Sequence, residues 1–235
     1  MKIETVLSPS LFHQITDLDK KAVVVIDILR ATSTIVTILN NGAKSVIPVM
    51  EEDEARAYKG KGFLVGGERG GETIPGFDFG NSPFHYSTEL VDNKDVILTT
   101  TNGTKCLEMS KNAKYVFTGA FLNLNALVAH LKMLNLDIVL FCAGWKDKVN
   151  LEDSLFAGAV AALLPEAEID DSTLLCKHSY TSCSSNIFSA LQGSNHFLRL
   201  AGKGVIKDIE YCCKLNEINL VPELRKEKLV AANLI

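Results

Sequence analysis

Two kinds of stretch alternate along this chain. Short apolar runs without internal polar residues are followed by polar loops, and then by segments whose apolar residues recur at helical spacing. Residues 22–28 open the series: Val23-Val24-Val25-Ile26 shows no alternation, as expected of a strand covered on both faces. Over 33–40, Ile35, Ile38 and Leu39 recur at helical spacing, with Thr32 or Ser33 placed to cap the helix and Asn41-Gly42 to end it. The same reading predicts strands over 45–49, 63–65, 96–99, 115–118 and 137–141. It predicts helices over 51–58, from Thr104 onward, over 125–134, and over 151–164 up to Pro165. Past Asp171 the pattern is mostly helical and closes with an extended Leu220-Val221-Pro222.

This repeated strand, polar loop and helix predicts a single three-layer α/β/α domain over residues 1–235, with a largely parallel sheet that leaves room for mixed pairing. Segments 23–42 and 138–164 share one layout (apolar strand, acid-bearing loop, small-residue helix), which hints at an internal duplication. The glycine-rich stretch 66–83 reads as one long irregular loop, and such a loop inside a compact domain is usually functional.

Bulk composition narrows the function classes. With 235 residues, 47% of them apolar, the chain can bury a sizeable core. A net charge of −4 argues against a nucleic-acid partner, which needs a basic face, but leaves a small anionic substrate open. Six cysteines without a C-x-x-C pair form neither a zinc ribbon nor a disulfide framework; free thiols, no signal-peptide pattern after Met1 and no membrane-length apolar run point to the cytoplasm. A homo-oligomer is compatible with the chain. The sequence contains no P-loop, no G-x-G-x-x-G turn, no H-E-x-x-H and no G-x-S-x-G elbow.

Ligands of open α/β sheets bind beyond the carboxyl ends of the strands. The polar residues collected there are Asp27, Arg30, Glu68, Arg69, Asp78, Asn81, Ser82, Thr100, Thr101, Asn102, Gly103, Thr104, Glu152 and Asp153. Acids suit a hard cation such as Mg2+, and arginines suit planar anions through a bidentate fork. Phosphoryl transfer needs both. Each residue also has an ordinary reading: Asp27, Glu152 and Asp153 as first-turn helix acids, Arg30 as a surface ion pair, and Thr100–Thr104 as an elaborate cap. Trp145, the single tryptophan, is placed either to cover a pocket or to pack.

Several stretches, in order, resemble the 2-phosphosulfolactate phosphatases of coenzyme M biosynthesis and their bacterial relatives. They are residues 25–34, 66–71, 76–83 and 98–104, then Cys142-Ala143-Gly144, Leu151-Glu152-Asp153 with Ala157-Gly158-Ala159, and finally Val221-Pro222. The resemblance implies a Mg2+-dependent phosphatase acting on a small anionic ester, 2-phospho-3-sulfolactate or a related 2-hydroxy acid phosphate. Residues 145–150 depart from it, with bulky Trp145 where a small residue is expected.

The reading on these residues is as follows. Asp27, Glu68, Asp78 and Glu152 are the metal ligands. Arg30, Arg69, Asn81, Ser82, Thr100, Thr101, Asn102 and Gly103 bind substrate. Asp27, Arg30 and Asp153 carry the chemistry, through either an Asp27 phospho-enzyme or water activated by Asp153. Two rival readings are an inactive small-anion sensor with the same cleft and an isomerase or aldolase using the same metal.

Overall fold

The computed structural model describes residues 1–233. Among them, eleven strands join in one sheet: β1 (Lys2–Val6), β2 (Ala22–Ile26), β3 (Ser45–Pro48), β4 (Leu64–Arg69), β5 (Glu72–Thr73), β6 (Asp95–Thr99), β7 (Tyr115–Gly119), β8 (Ile138–Cys142), β9 (Glu168–Ile169), β10 (Pro222–Arg225) and β11 (Lys228–Ala231). The order is β5-β4-β6-β3-β11-β10-β7-β2-β8-β1-β9. Two parallel blocks, β7-β2-β8-β1-β9 and β4-β6-β3, flank the antiparallel hairpin β10–β11. The sheet is therefore mostly parallel but mixed.

β2 shows why the apolar run in its sequence has no alternation. Val24 and Ile26 enter one core with Leu155, Phe156 and Leu127; Val23 and Val25 enter a second core with Ile35, Ile38 and Leu107. Successive side chains of a strand point to opposite faces, so two cores on one strand mean helices above and below, the three-layer arrangement. Helix Ala31–Asn40 follows β2 and helix Leu151–Ala162 follows β8. These are the two units that share a layout in the sequence, and β2 and β8 are neighbours, paired level from Ala22↔Ile138 to Ile26↔Cys142.

Several elements differ from the sequence reading, among them the short strand β9 and helix Thr88–Val91, which it does not contain. β1 is a strand, although five residues flush with the chain start give too short a pattern to read. The glycine-rich loop begins as strand β4 and turns through Gly70-Gly71 into β5; both glycines have positive φ (62° and 90°), as a two-residue primed hairpin requires. Pro222–Arg225 and Lys228–Ala231 form a hairpin whose Lys226-Glu227 turn carries none of the usual Asn-Gly or Gly signals. The C-terminal third is helical as expected, with helices Asp171–Cys183, Ile187–Leu191, Asn195–Ala201 and Ile206–Cys212. Among the described residues no helix is long and apolar enough to cross a membrane.

Three antiparallel steps separate the two blocks, so in a flat sheet their carboxyl ends would lie at opposite edges. They nevertheless meet, since Gly103 after β6 abuts Asp27 after β2.

Gly158 marks the tightest helix contact. A Cβ there would lie 2.1 Å from the carbonyl oxygen of Cys176 and 2.9 Å from Tyr180 Cβ, both on the neighbouring helix. Gly158→Ala is expected to cost about 2–3 kcal/mol in urea unfolding, at the upper end of overpacking changes. A midpoint equal to that of the unchanged protein would contradict this close approach.

Candidate active site

Level pairing of β2 with β8 sets the loops after them side by side. Asp153, in the first turn of Leu151–Ala162, exploits this. Its Oδ1 accepts the amide of Ile28 (2.9 Å) and its Oδ2 the amide of Gly144 (3.0 Å). Asn150 caps the helix by accepting the Asp153 amide at 3.3 Å. Asp153 is fully buried, and desolvation, reinforced by the Glu152 and Asp27 carboxylates, pushes its carboxyl well above the ordinary range despite those two amides. Asp153 thus braces the loop that carries Asp27.

A second carboxylate does similar work on the other block. β4 and β6 pair with Gly67 level with Thr99, which places Glu68 beside Thr101. Glu68 Oε1 accepts both the amide and the hydroxyl of Thr101 at 2.8 Å each, and Oε2 accepts the amide of Gly71 at 2.6 Å. Thr100 Oγ1 accepts the amide of Thr104 (3.3 Å), a capping role at the start of helix Gly103–Met109. Gly103 is required by proximity, since a Cβ would lie 2.8 Å from Ala31 Cβ and 3.0 Å from Asp27 Oδ2.

These supports enclose a small polar cleft. Asp27, Arg30, Glu68, Asn81, Thr101 and Asn102 line it, together with the Gly70-Gly71 turn, Trp145, His196, Arg199 and Leu200. Arg30 is buried, pairs with Asp208 Oδ2, and donates to Gly71 O at 3.2 Å. Ser82 donates to the other Asp208 oxygen at 3.1 Å. A buried arginine paired in this way is fixed in place, and removing its carboxylate would leave a charge uncompensated.

Six of the sequence-derived residues therefore converge on one cleft. Others lie nearby in supporting positions: Asp153 and Thr100 as described, Gly103 against Asp27, and Ser82 on Asp208. Glu152 is buried behind His196, with Oε1 bonded to His196 Nδ1 and Oε2 without any hydrogen-bond partner among the described residues. Arg69 and Asp78 are not brought to the cleft. Because Glu68 and Arg69 are consecutive on a strand rather than in a loop, their side chains leave opposite faces; Arg69 donates to Met50 O (3.0 Å) and Thr99 Oγ1 (2.9 Å). Asp78 accepts the Val65 amide at 2.9 Å and pairs with Lys59 at 3.0 Å.

His196, Arg199 and Asp208 join the site from helices Asn195–Ala201 and Ile206–Cys212, where no motif announced them. Arg199 Nη2 lies 2.6 Å from His196 Nε2. A guanidinium only donates, so Nε2 accepts and Nδ1 carries the proton given to Glu152. Trp145 stands over this group, 5.0 Å from the Arg199 guanidinium and stacked with the His196 ring at 6.3 Å.

At Asp27, burial acts first and, with repulsion from Glu68 and Glu152, pushes the carboxyl up from 3.8 to about 6. The folded protein then holds this proton more tightly than the unfolded chain. The stability Asp27 contributes is present below about pH 4 and lost as pH rises through about 6, a change on the order of 3 kcal/mol. Without added divalent ion, Asp27→Asn should gain stability relative to the unchanged protein across that window, followed by denaturant midpoints against pH. A pH-independent difference between the two would refute the shift.

The sequence profile described as 2-phosphosulpholactate phosphatase matches residues 6–227. A protein of Caldanaerobacter subterraneus subsp. tengcongensis is 39% identical over 216 residues, covering 89% of this chain and 90% of its own. One of Thermotoga petrophila is 41% identical over 204 residues (87% and 89%), and one of Carboxydothermus hydrogenoformans is 40% identical over 238 residues (98% and 97%). Each of the three is named "Probable 2-phosphosulfolactate phosphatase". With the match spanning almost the whole chain, this protein belongs to the 2-phosphosulpholactate phosphatase family, whose members are phosphoric monoester hydrolases.

Proposed function

We propose that this phosphatase hydrolyses 2-phosphosulfolactate, or a closely related 2-hydroxy acid phosphate, with Mg2+ as its metal. The observation that carries the reading is the buried cleft in which Asp27 and Glu68 face Arg30, Asn81 and Asn102. A phosphate monoester needs cationic donors for its oxygens and an acid to bear or move a proton; this cleft offers both.

The donor chemistry fits Mg2+. Every acid here presents oxygen, Glu152 Oε2 is buried without a partner, and Asp27 is pushed upward partly by neighbouring carboxylates, a condition that a divalent cation relieves. Among the described residues no three His, Cys, Asp or Glu side chains form a ready cage. Mg2+ seldom needs one, since it keeps several waters and uses one or two carboxylates with the substrate phosphate. Asp27 and Glu68 would hold it, and when bound it would offset charge on the transferring oxygens.

Arg30, fixed by Asp208 and Gly71, presents its guanidinium to the phosphate. Asp27 is better placed than Asp153 for the reacting role. It lines the cleft, whereas both Asp153 oxygens are engaged by amides behind it. Asp27 either attacks phosphorus as a carboxylate, forming an acyl phosphate that water then hydrolyses, or takes the proton of an attacking water; in both cases the ester P–O bond breaks and the hydroxy acid leaves. Single turnover in isotope-labelled water, with trapping of any acyl phosphate, separates the two.

Phosphate release from 2-phosphosulfolactate should require Mg2+ and stop on chelation. Asp27→Asn and Arg30→Ala should each lower kcat/KM by well over tenfold, as expected when transition-state charge loses its support. Turnover that persists after chelation, or in Asp27→Asn, would overturn the assignment.

A further inference from the structure

Two arginines reach the cleft, and their circumstances differ. Arg30 is neutralised by Asp208. Arg199 takes part in no ion pair among the described residues: its Nη1 donates to Gly70 O at 3.0 Å, its Nη2 to His196 Nε2, and its Nε is buried with no partner. None of these partners is an anion, and the guanidinium still has a donor to give in a charge-assisted bond.

The spacing is informative. Arg30 Nη2 donates to Gly71 O and Arg199 Nη1 to Gly70 O, consecutive carbonyls of one turn. That turn is itself held by Glu68 through the Gly71 amide. Both guanidinium groups therefore line one cleft from the same turn, as a ligand with more than one anionic group would need. The cavity is about 20 Å³, room for one or two waters at roughly 10–15 Å³ each, so a three-carbon ligand needs lining side chains to shift. Trp145 lies against the Arg199 guanidinium, its ring centre 5.0 Å away.

We propose that Arg199 binds the acid group of the substrate other than the phosphate, a carboxylate or sulfonate, and so selects phosphorylated acids over esters of neutral alcohols. This rests on the phosphatase reading of the same cleft.

Calorimetric titration with sulfolactate, and separately with inorganic phosphate, tests it without requiring turnover. In Arg199→Gln the loss of sulfolactate affinity should exceed the loss of phosphate affinity by at least tenfold. Arg199→Lys, which keeps the charge but not the fork, should show a smaller loss in the same direction, about threefold or more. Lactate and isethionate, each carrying one of the two acid groups, identify which one Arg199 holds: the acid whose binding weakens in the variant.

Equal losses for sulfolactate and phosphate, or none, in variants with unchanged melting temperature would overturn the assignment. Should Arg199→Gln not fold, equal binding by Arg199→Lys and the unchanged protein would overturn it as well. Arg199-dependent acid binding in a protein that releases phosphate from no ester would overturn the phosphatase reading and leave Arg199 assigned. Phosphate release without Arg199-dependent selectivity would do the reverse.

Discussion

The Asp153 carboxylate, buried and closed over the amides of Ile28 and Gly144, joins the loops beyond β2 and β8. Both reactive-side features depend on that brace: Asp27 sits one residue before Ile28, and Trp145 one residue after Gly144. Glu68 repeats the device on the other block by gathering Thr101 and Gly71. Each carboxylate collects backbone donors that would otherwise be left unpaired at strand ends, and a buried carboxylate is tolerable only with such donors around it. The cleft is thus built from charges that support one another, with Asp27 and Glu68 both lining it.

How much of this was legible follows from the same physics. Asp27, Glu68 and Thr101 could be located because each stands at the end of an apolar run, and β2, covered on both faces, has the plainest run of all. Arg69 misled because Gly66-Gly67-Glu68-Arg69 reads as loop. The Gly70-Gly71 signal lacks the alternating hydrophobic flanks that mark a hairpin, and strand periodicity then carries Arg69 to the other face. Asp78 likewise looked like part of the cluster from its neighbours, but its carboxylate is spent on Val65 and Lys59.

The residues missed entirely, His196, Arg199 and Asp208, share a cause. They lie on short helices whose place over the cleft is fixed by packing of Phe197, Leu200 and Ile209 into the core rather than by any local motif. The one local clue was spacing: His196 and Arg199 are three apart and so share a helix face. Trp145 drew attention as a departure from the family pattern, and it stands over those two residues rather than in the core.

The position of hairpin β10–β11 in the sheet has a consequence for how the chain comes together. It occupies the middle of the sheet yet arises late in the sequence, and β7 and β3 meet only through it. Without residues 222–231, β7 and β3 would have no shared edge and would each keep a row of unpaired backbone groups. Pairing so distant in sequence closes slowly, and open strand edges invite intermolecular association. Continuity of the whole sheet therefore rests on one short segment.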